Sequence, residues 1–125
     1  MPKPGHTGLK RIILASKYSA QGFIYAWRHE SAFRQEIVIA CILIPLAIWL
    51  GESPLDMLLL IAPIFFVLIV ELLNSSVEAT LDSISNKEDK IIGGAKDMAS
   101  AAVFLSLLIL ISCWTAILYK NIFYL

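Results

Sequence analysis

Glu71, Asn74, Ser75, Glu78 and Asp82 are the residues of this chain best placed to do chemistry, because they set polar, mostly acidic side chains directly after a membrane-grade apolar run. At 100° per residue they fall within an arc of about 100°, so on a continuous helix they line one face over roughly 16 Å. Such a face attracts a cation. Ionisable residues at membrane depth are costly, turn toward a bundle interior or a watery cleft, and mark functional sites. Two more polar clusters accompany it: Glu30, Arg34, Gln35 and Glu36 before an earlier apolar run, and Gly93-Gly94-Ala95-Lys96-Asp97-Met98-Ala99-Ser100 at the start of a later one. Taken alone, Glu30 and Arg34 would amount to an i,i+4 salt bridge of about 0.2 to 0.5 kcal/mol on a surface helix. Taken together, the three clusters lie at one depth, so folding would gather carboxylates from the first two with a lysine, an aspartate and glycines from the third. That is the composition of a phosphate and metal site. Hard cations such as Mg²⁺ take carboxylate oxygens and substrate phosphates, lysine neutralises phosphate charge, and glycine lets the backbone approach a nucleotide closely. No G-x-x-x-x-G-K-[ST] motif is present, which excludes a P-loop enzyme.

The elements that must position these residues are helices. The chain has 125 residues, 58% hydrophobic and 16% charged, too small for two domains and too apolar for an ordinary soluble one. Ile37 to Leu50 and Met57 to Val70 are uninterrupted apolar runs, and Met98 to Tyr119 is broken only by Ser100, Ser106, Ser112 and Thr115. Crossing a bilayer takes about 20 residues, so the first two runs must recruit flanking polar residues into the interface. Three buried helices of a soluble bundle would need polar faces at helical spacing, and these runs are apolar all round. Ahead of them, Leu9, Ile12, Ile13, Ala20, Phe23, Ile24 and Trp27 share one side of a helical wheel, with Lys10, Lys17, Gln21 and Arg28 mostly elsewhere. This reads as an amphipathic helix on the membrane surface, or alternatively one packed on its own bundle, with Gly22 counting against its continuity. The expected architecture is an all-α polytopic membrane protein: a surface helix at about 7–29, then membrane helices at about 32–50, 55–82 and 95–120, forming a single unit over 1–125. Pro54 suits the first position of a helix after a tight Gly51-Glu52-Ser53 turn. Pro45 and Pro63 are tolerated inside spans. Asp82 to Gly94 reads as a mobile loop.

Net charge is zero, so nothing points to nucleic acid, but Lys and Arg are unevenly distributed. Lys3, Lys10, Arg11, Lys17, Arg28 and Arg34 precede the first span, and Lys87, Lys90 and Lys96 lie between the second and third. The positive-inside rule then places the N-terminus and the 82–96 loop in the cytoplasm and the C-terminus outside. The first residues lack an apolar core and a small-residue cleavage site, so no signal peptide is expected. Cys41 and Cys113 sit in apolar runs without partner spacing and read as packing residues.

Glu71-Leu-Leu-Asn74-Ser75-Ser-Val-Glu78-Ala-Thr-Leu-Asp82, followed by Ala95-Lys96-Asp97-Met98-Ala99-Ser100-Ala101-Ala102, resembles the signature of the small prokaryotic integral-membrane diacylglycerol kinases. The resemblance extends through Arg11, Ala26-Trp27 and Glu30-Ser-Ala-Phe33-Arg34-Gln35-Glu36, and so covers nearly the whole chain. A sister family phosphorylates undecaprenol; Ser100-Ala101-Ala102 and Arg34-Gln35-Glu36 look more like the diacylglycerol branch. The resemblance implies a homotrimer in the bacterial inner membrane, with ATP bound on the cytoplasmic side, active sites shared between subunits, and phosphatidic acid as product. By matched position, Glu71 corresponds to the general base, Glu30 and Glu78 to metal-binding carboxylates, and Asn74, Lys96 and Asp97 to active-site residues. It further implies nucleotide contacts from Arg11, Ser19, Glu30, Glu78, Lys96 and Asp97, and lipid-substrate contacts from Arg11, Glu71 and Ser100, with Glu36 and Asp82 also near the site. Ser16, where the family is expected to carry a small residue such as alanine, and the Ile91-Ile92-Gly93-Gly94 stretch are departures from it.

The expected reaction is in-line transfer of the γ-phosphoryl group of MgATP to the primary hydroxyl of diacylglycerol, with Glu71, the deepest carboxylate, accepting the alcohol proton. Two readings compete with it. A small oligomeric proton-coupled transporter would use Glu71 for alternating access, but no span carries a polar residue midway other than Ser106 and Ser112. A membrane scaffold would explain the small residues opening the third span and leave the carboxylates unexplained.

Overall fold

The computed structural model describes residues 7–84 and 89–124, which form four helices: α1 (Gly8–His29), α2 (Ser31–Leu50), α3 (Pro54–Ser83) and α4 (Lys90–Phe123). Lys3 and Lys87, used in the topology argument, and the first six residues, used for the absence of a signal peptide, lie outside the described residues. α2, α3 and α4 are long and apolar enough to cross a bilayer. They form a bundle in which α3 packs on both α2 and α4, while α1 meets chiefly α2. α1 runs unbroken through Gly22.

The corner between α1 and α2 is a single extended residue. Glu30 has φ −119° and ψ 105°, its N–H donates to Ala26 O at 2.9 Å, and its carbonyl accepts from Arg34 N at 3.2 Å. It therefore ends one helix and begins the next, with its side chain half-buried at the bend. Arg34 does not pair with Glu30: its Nη1 donates to Trp27 O at 2.8 Å and braces the corner, and among the described residues the ion pairs are Lys96–Asp82 and Lys120–Asp56.

The turn from α2 to α3 follows its sequence chemistry. Ser53 Oγ caps α3 by accepting from Asp56 N at 3.1 Å, with Pro54 opening the helix. Gly51 is required by close approach, since a Cβ there would lie 2.6 Å from Met57 Cγ.

This turn end is the tightly held end of the bundle. Ala47, Leu60 and Ile117 form its core, flanked by Leu50, Ile61 and Trp114. Three side chains of α4 grip the other two helices: Lys120 Nζ binds Asp56 Oδ2, Asn121 Nδ2 donates to Leu50 O at 2.9 Å, and Trp114 Nε1 donates to Leu60 O at 2.9 Å. Pro63, which has no N–H, leaves the Leu59 carbonyl without its ladder donor, and the Trp114 bond falls on the neighbouring Leu60 carbonyl. Elsewhere the contacts use small residues, Ala40 on α2 and Ser106 on α4, the latter fully buried with its hydroxyl returned to Val103 O at 2.7 Å.

The expected loop from Asp82 to Gly94 is shorter than its composition implied. α3 continues to Ser83, and α4 begins at Lys90 rather than near residue 95. Asp89 causes the early start: its Oδ1 accepts from Ile91 N at 2.7 Å and Ile92 N at 3.4 Å, an N-cap that carries the helix through Gly93 and Gly94.

Candidate active site

The acidic face of α3 turns inward at one point and outward at its end. Glu71 and Ser75 are buried, at 4% and 9% exposure, Asn74 and Glu78 are half-buried, and Asp82 is exposed. Burying a carboxylate is costly unless it is hydrogen-bonded or paired. Asn74, one turn further on, supplies the bond, its Nδ2 donating to Glu71 Oε2 at 3.2 Å.

Around Glu71 the chain concentrates negative charge. Glu78 from the same helix, Glu30 from the α1–α2 corner and Glu36 from α2 all lie within electrostatic reach of it. Two acceptor atoms here, Glu36 Oε2 and Asn74 Oδ1, are buried without a hydrogen-bond partner among the described residues. Carboxylates that repel one another and acceptors that lack donors would suit a cation and a hydroxyl-bearing or protonated ligand.

Beside this cluster a pocket of about 510 Å³ opens between α1 and α3. Ser19, Gly22, Phe23 and Ala26 form one wall, Leu72, Ser75, Ser76, Ala79 and Thr80 the other, and Glu30 stands at its rim. The surface is predominantly apolar with a few hydroxyls, as a site for an amphiphile requires. The Ser19 and Thr80 hydroxyls donate back to Ala15 O at 2.9 Å and Ser76 O at 2.8 Å, which leaves their lone pairs to face the pocket.

The third cluster does not converge on Glu71 within one chain, as the sequence reading had it. Lys96 Nζ binds Asp82 Oδ1 at 2.6 Å, and Asp97 and Ser100 are exposed, as is Arg11 on α1. The cause is helical geometry: Asp82 lies three turns beyond Glu71, roughly 16 Å along α3, so a lysine on the first turns of α4 meets the far end of the acidic face. Glu71 is the most buried of the described carboxylates, and Glu36 is half-buried on the neighbouring helix. Glu36 lines a cavity of about 60 Å³ with Ile64, Val67 and Leu68 of α3 and Leu107 and Leu110 of α4.

For a metal, the available donors are carboxylates. Among the described residues no three His, Cys, Asp or Glu side chains gather as a cage. Glu30 and Glu78 flanking Glu71 nevertheless suit a Mg²⁺ ion, which is commonly held by one or two carboxylates plus substrate phosphates rather than by an all-protein shell. The pocket walls Phe23, Ser76 and Thr80 and the inward-facing Glu36 carboxyl escape sequence reasoning based on acidic spacing alone, although the helical repeat of Leu72, Ser76, Ala79 and Thr80 marks a face adjoining that of Glu71.

Comparison with known proteins shows what the chain is similar to. A family model described as prokaryotic diacylglycerol kinase matches residues 17–118. The diacylglycerol kinase of Haemophilus influenzae is 44% identical over 113 residues, covering 90% of this chain and 96% of that protein. That of Pseudomonas aeruginosa is 46% identical over 117 residues, covering 94% and 95%, and that of Escherichia coli 40% over 115 residues, covering 92% and 94%.

Proposed function

The chain belongs to the prokaryotic diacylglycerol kinase family, and from that membership and its site we infer that it is an ATP-dependent lipid kinase transferring the γ-phosphoryl group to the primary hydroxyl of diacylglycerol. It is a multi-pass membrane protein. The observation that carries the reading is a buried carboxylate, Glu71, held by Asn74 on the turn of α3 whose Leu72 and Ser75 wall an apolar pocket against the surface helix. In this arrangement the acyl chains occupy the α1–α3 pocket, and the acceptor hydroxyl reaches Glu71. As the oxygen attacks phosphorus, Glu71 accepts its proton, the bond from the γ-phosphorus to the bridging oxygen breaks, and ADP leaves with the electron pair.

Glu30 and Glu78 would hold Mg²⁺, which supplies neutralisation of the charge spread over the transferring phosphate. Asn74 fixes the orientation of the base. Lys96 and Asp97, with Arg11, handle the nucleotide, Arg11 and Ser100 contact the lipid, and Ser19, matched by position to a nucleotide contact, lies in the wall of the α1–α3 pocket.

The distance between the α4 cluster and Glu71 favours an assembly in which one subunit lends Lys96, Asp97 and Ser100 to the Glu71 of its neighbour, consistent with a homotrimer of shared sites. Lys10, Arg11, Lys17, Arg28, Arg34, Lys90 and Lys96 all lie toward the site end of the bundle, which supports a cytoplasmic N-terminus and active site in an inner membrane.

Transfer of labelled γ-phosphate from MgATP to diacylglycerol and to undecaprenol in parallel mixed micelles tests the reading. Labelled phosphatidic acid is expected. Labelled undecaprenyl phosphate instead would move the chain to the sister activity, and no transfer to either lipid would favour a transporter.

A further inference from the structure

α1 carries a second polar surface that the proposed reaction does not use. Between Gly8 and His29 the helix has Lys10, Arg11, Lys17 and Arg28 and no acidic residue. On the helical wheel Lys10, Lys17, Gln21 and Arg28 fall within about 40° of one another, roughly opposite the face formed by Ser19, Gly22 and Ala26 that lines the pocket. The flank between the two is apolar and exposed, formed by Leu9, Ile13, Ile24 and Trp27. None of the three cations forms an ion pair among the described residues. At the Arg28 end, Gln21, Ile24, Tyr25, Arg28 and His29 line a shallow groove of about 230 Å³.

Apolar side chains immersed on one flank, with a row of unpaired cations beside them, are the pattern of a helix seated on an anionic leaflet. The guanidinium of Arg28 and the amide of Gln21 are the donors a phosphodiester takes. α1 is otherwise weakly held: Ala26 is its one buried residue, and Glu30 is a single extended corner. We propose that Lys10, Lys17, Gln21 and Arg28 bind the headgroups of anionic phospholipids, and that this docking fixes α1 as the wall of the α1–α3 pocket. The kinetic consequence rests on the kinase reading; the docking itself does not. Because the reaction converts a neutral lipid into an anionic one, the product belongs to the class of lipid that holds α1 in place.

The test compares the full-length protein with a Lys10→Gln/Lys17→Gln/Arg28→Gln variant in bilayer discs of phosphatidylcholine alone or with about one-third phosphatidylglycerol. Hydrogen exchange of the α1 amides is read first. Each cation near an anionic surface is worth roughly a fivefold preference, so wild-type α1 exchange slows by about fivefold or more with phosphatidylglycerol, and the slowing vanishes in high salt and in the variant. A Lys10→Arg/Lys17→Arg/Arg28→Lys variant retains it. In the kinase assay the apparent KM for diacylglycerol falls with phosphatidylglycerol for wild type and not for the Gln variant, with kcat in phosphatidylcholine alike for both. Equal wild-type exchange in the two bilayers, or unaltered slowing in the Gln variant, overturns the proposal. Slowed exchange without phosphate transfer in any bilayer supports the docking and counts against the kinase reading.

Discussion

At the scale of single residues, the chemistry depends on a buried carboxylate whose neighbours are themselves carboxylates. Asn74 is the only described hydrogen-bond donor to Glu71, so its loss releases the base without touching the pocket. Asn74→Ala is expected to lower kcat by about tenfold to a hundredfold with little change in KM, because misorientation costs rate more than binding; a raised KM with kcat unchanged would make Asn74 a binding residue instead. Glu78→Gln removes a unit of negative charge from the site offered to Mg²⁺. The Mg²⁺ concentration for half-maximal rate should rise by at least about tenfold, since even outer partners of metal sites cost that much. An unchanged Mg²⁺ titration would remove Glu78 from the metal site. The five-residue acidic face was legible in the sequence, since its spacing needs only a helix. That Glu36 faces inward, beside Val67 and Leu68, was not, because a carboxylate's direction at a helix start depends on the helices packed against it.

At the scale of elements, the four helices follow from apolar run length, and their ends follow from caps. The missed onset of α4 shows what the run length cannot say. Two adjacent glycines each cost a helix about 1 kcal/mol, and a polar stretch before them reads as loop, yet Asp89 supplies two N-cap bonds and the helix begins at Lys90. Equally invisible was the α4 grip on the turn end, because Asp56 and Lys120 stand 64 residues apart and meet only through the antiparallel run of α3 and α4. Trp114→Phe keeps the ring and removes the donor to Leu60 O. Thermal inactivation should show a loss of about 1 kcal/mol, with kcat of the surviving enzyme unchanged. A drop in kcat without a loss of stability would mean that this end of the bundle communicates with the site. Changing Lys120 alone to Leu should destabilise more than changing Asp56 and Lys120 together, since the single change strands the buried Asp56 carboxylate.

At the scale of the whole molecule, one chain holds the base and the carboxylates in one place and Lys96, Asp97 and Ser100 in another, and large apolar faces of all four helices remain uncovered. Sites shared between subunits, as proposed above, would account for both. Co-reconstituting Glu71→Gln with Lys96→Leu subunits, each inactive alone, should then restore roughly one quarter of wild-type activity, the fraction of sites that draw an intact residue from each side of a cyclic interface. No recovery would confine each site to one chain. The measurement bearing most directly on the account pairs nucleotide titration with phosphate transfer to diacylglycerol on a single preparation of Glu71→Gln. MgATP affinity is expected within about threefold of wild type and turnover lower by about 10² to 10⁴, the usual contribution of a general base. Near-normal turnover in that variant would rule out Glu71 as the base.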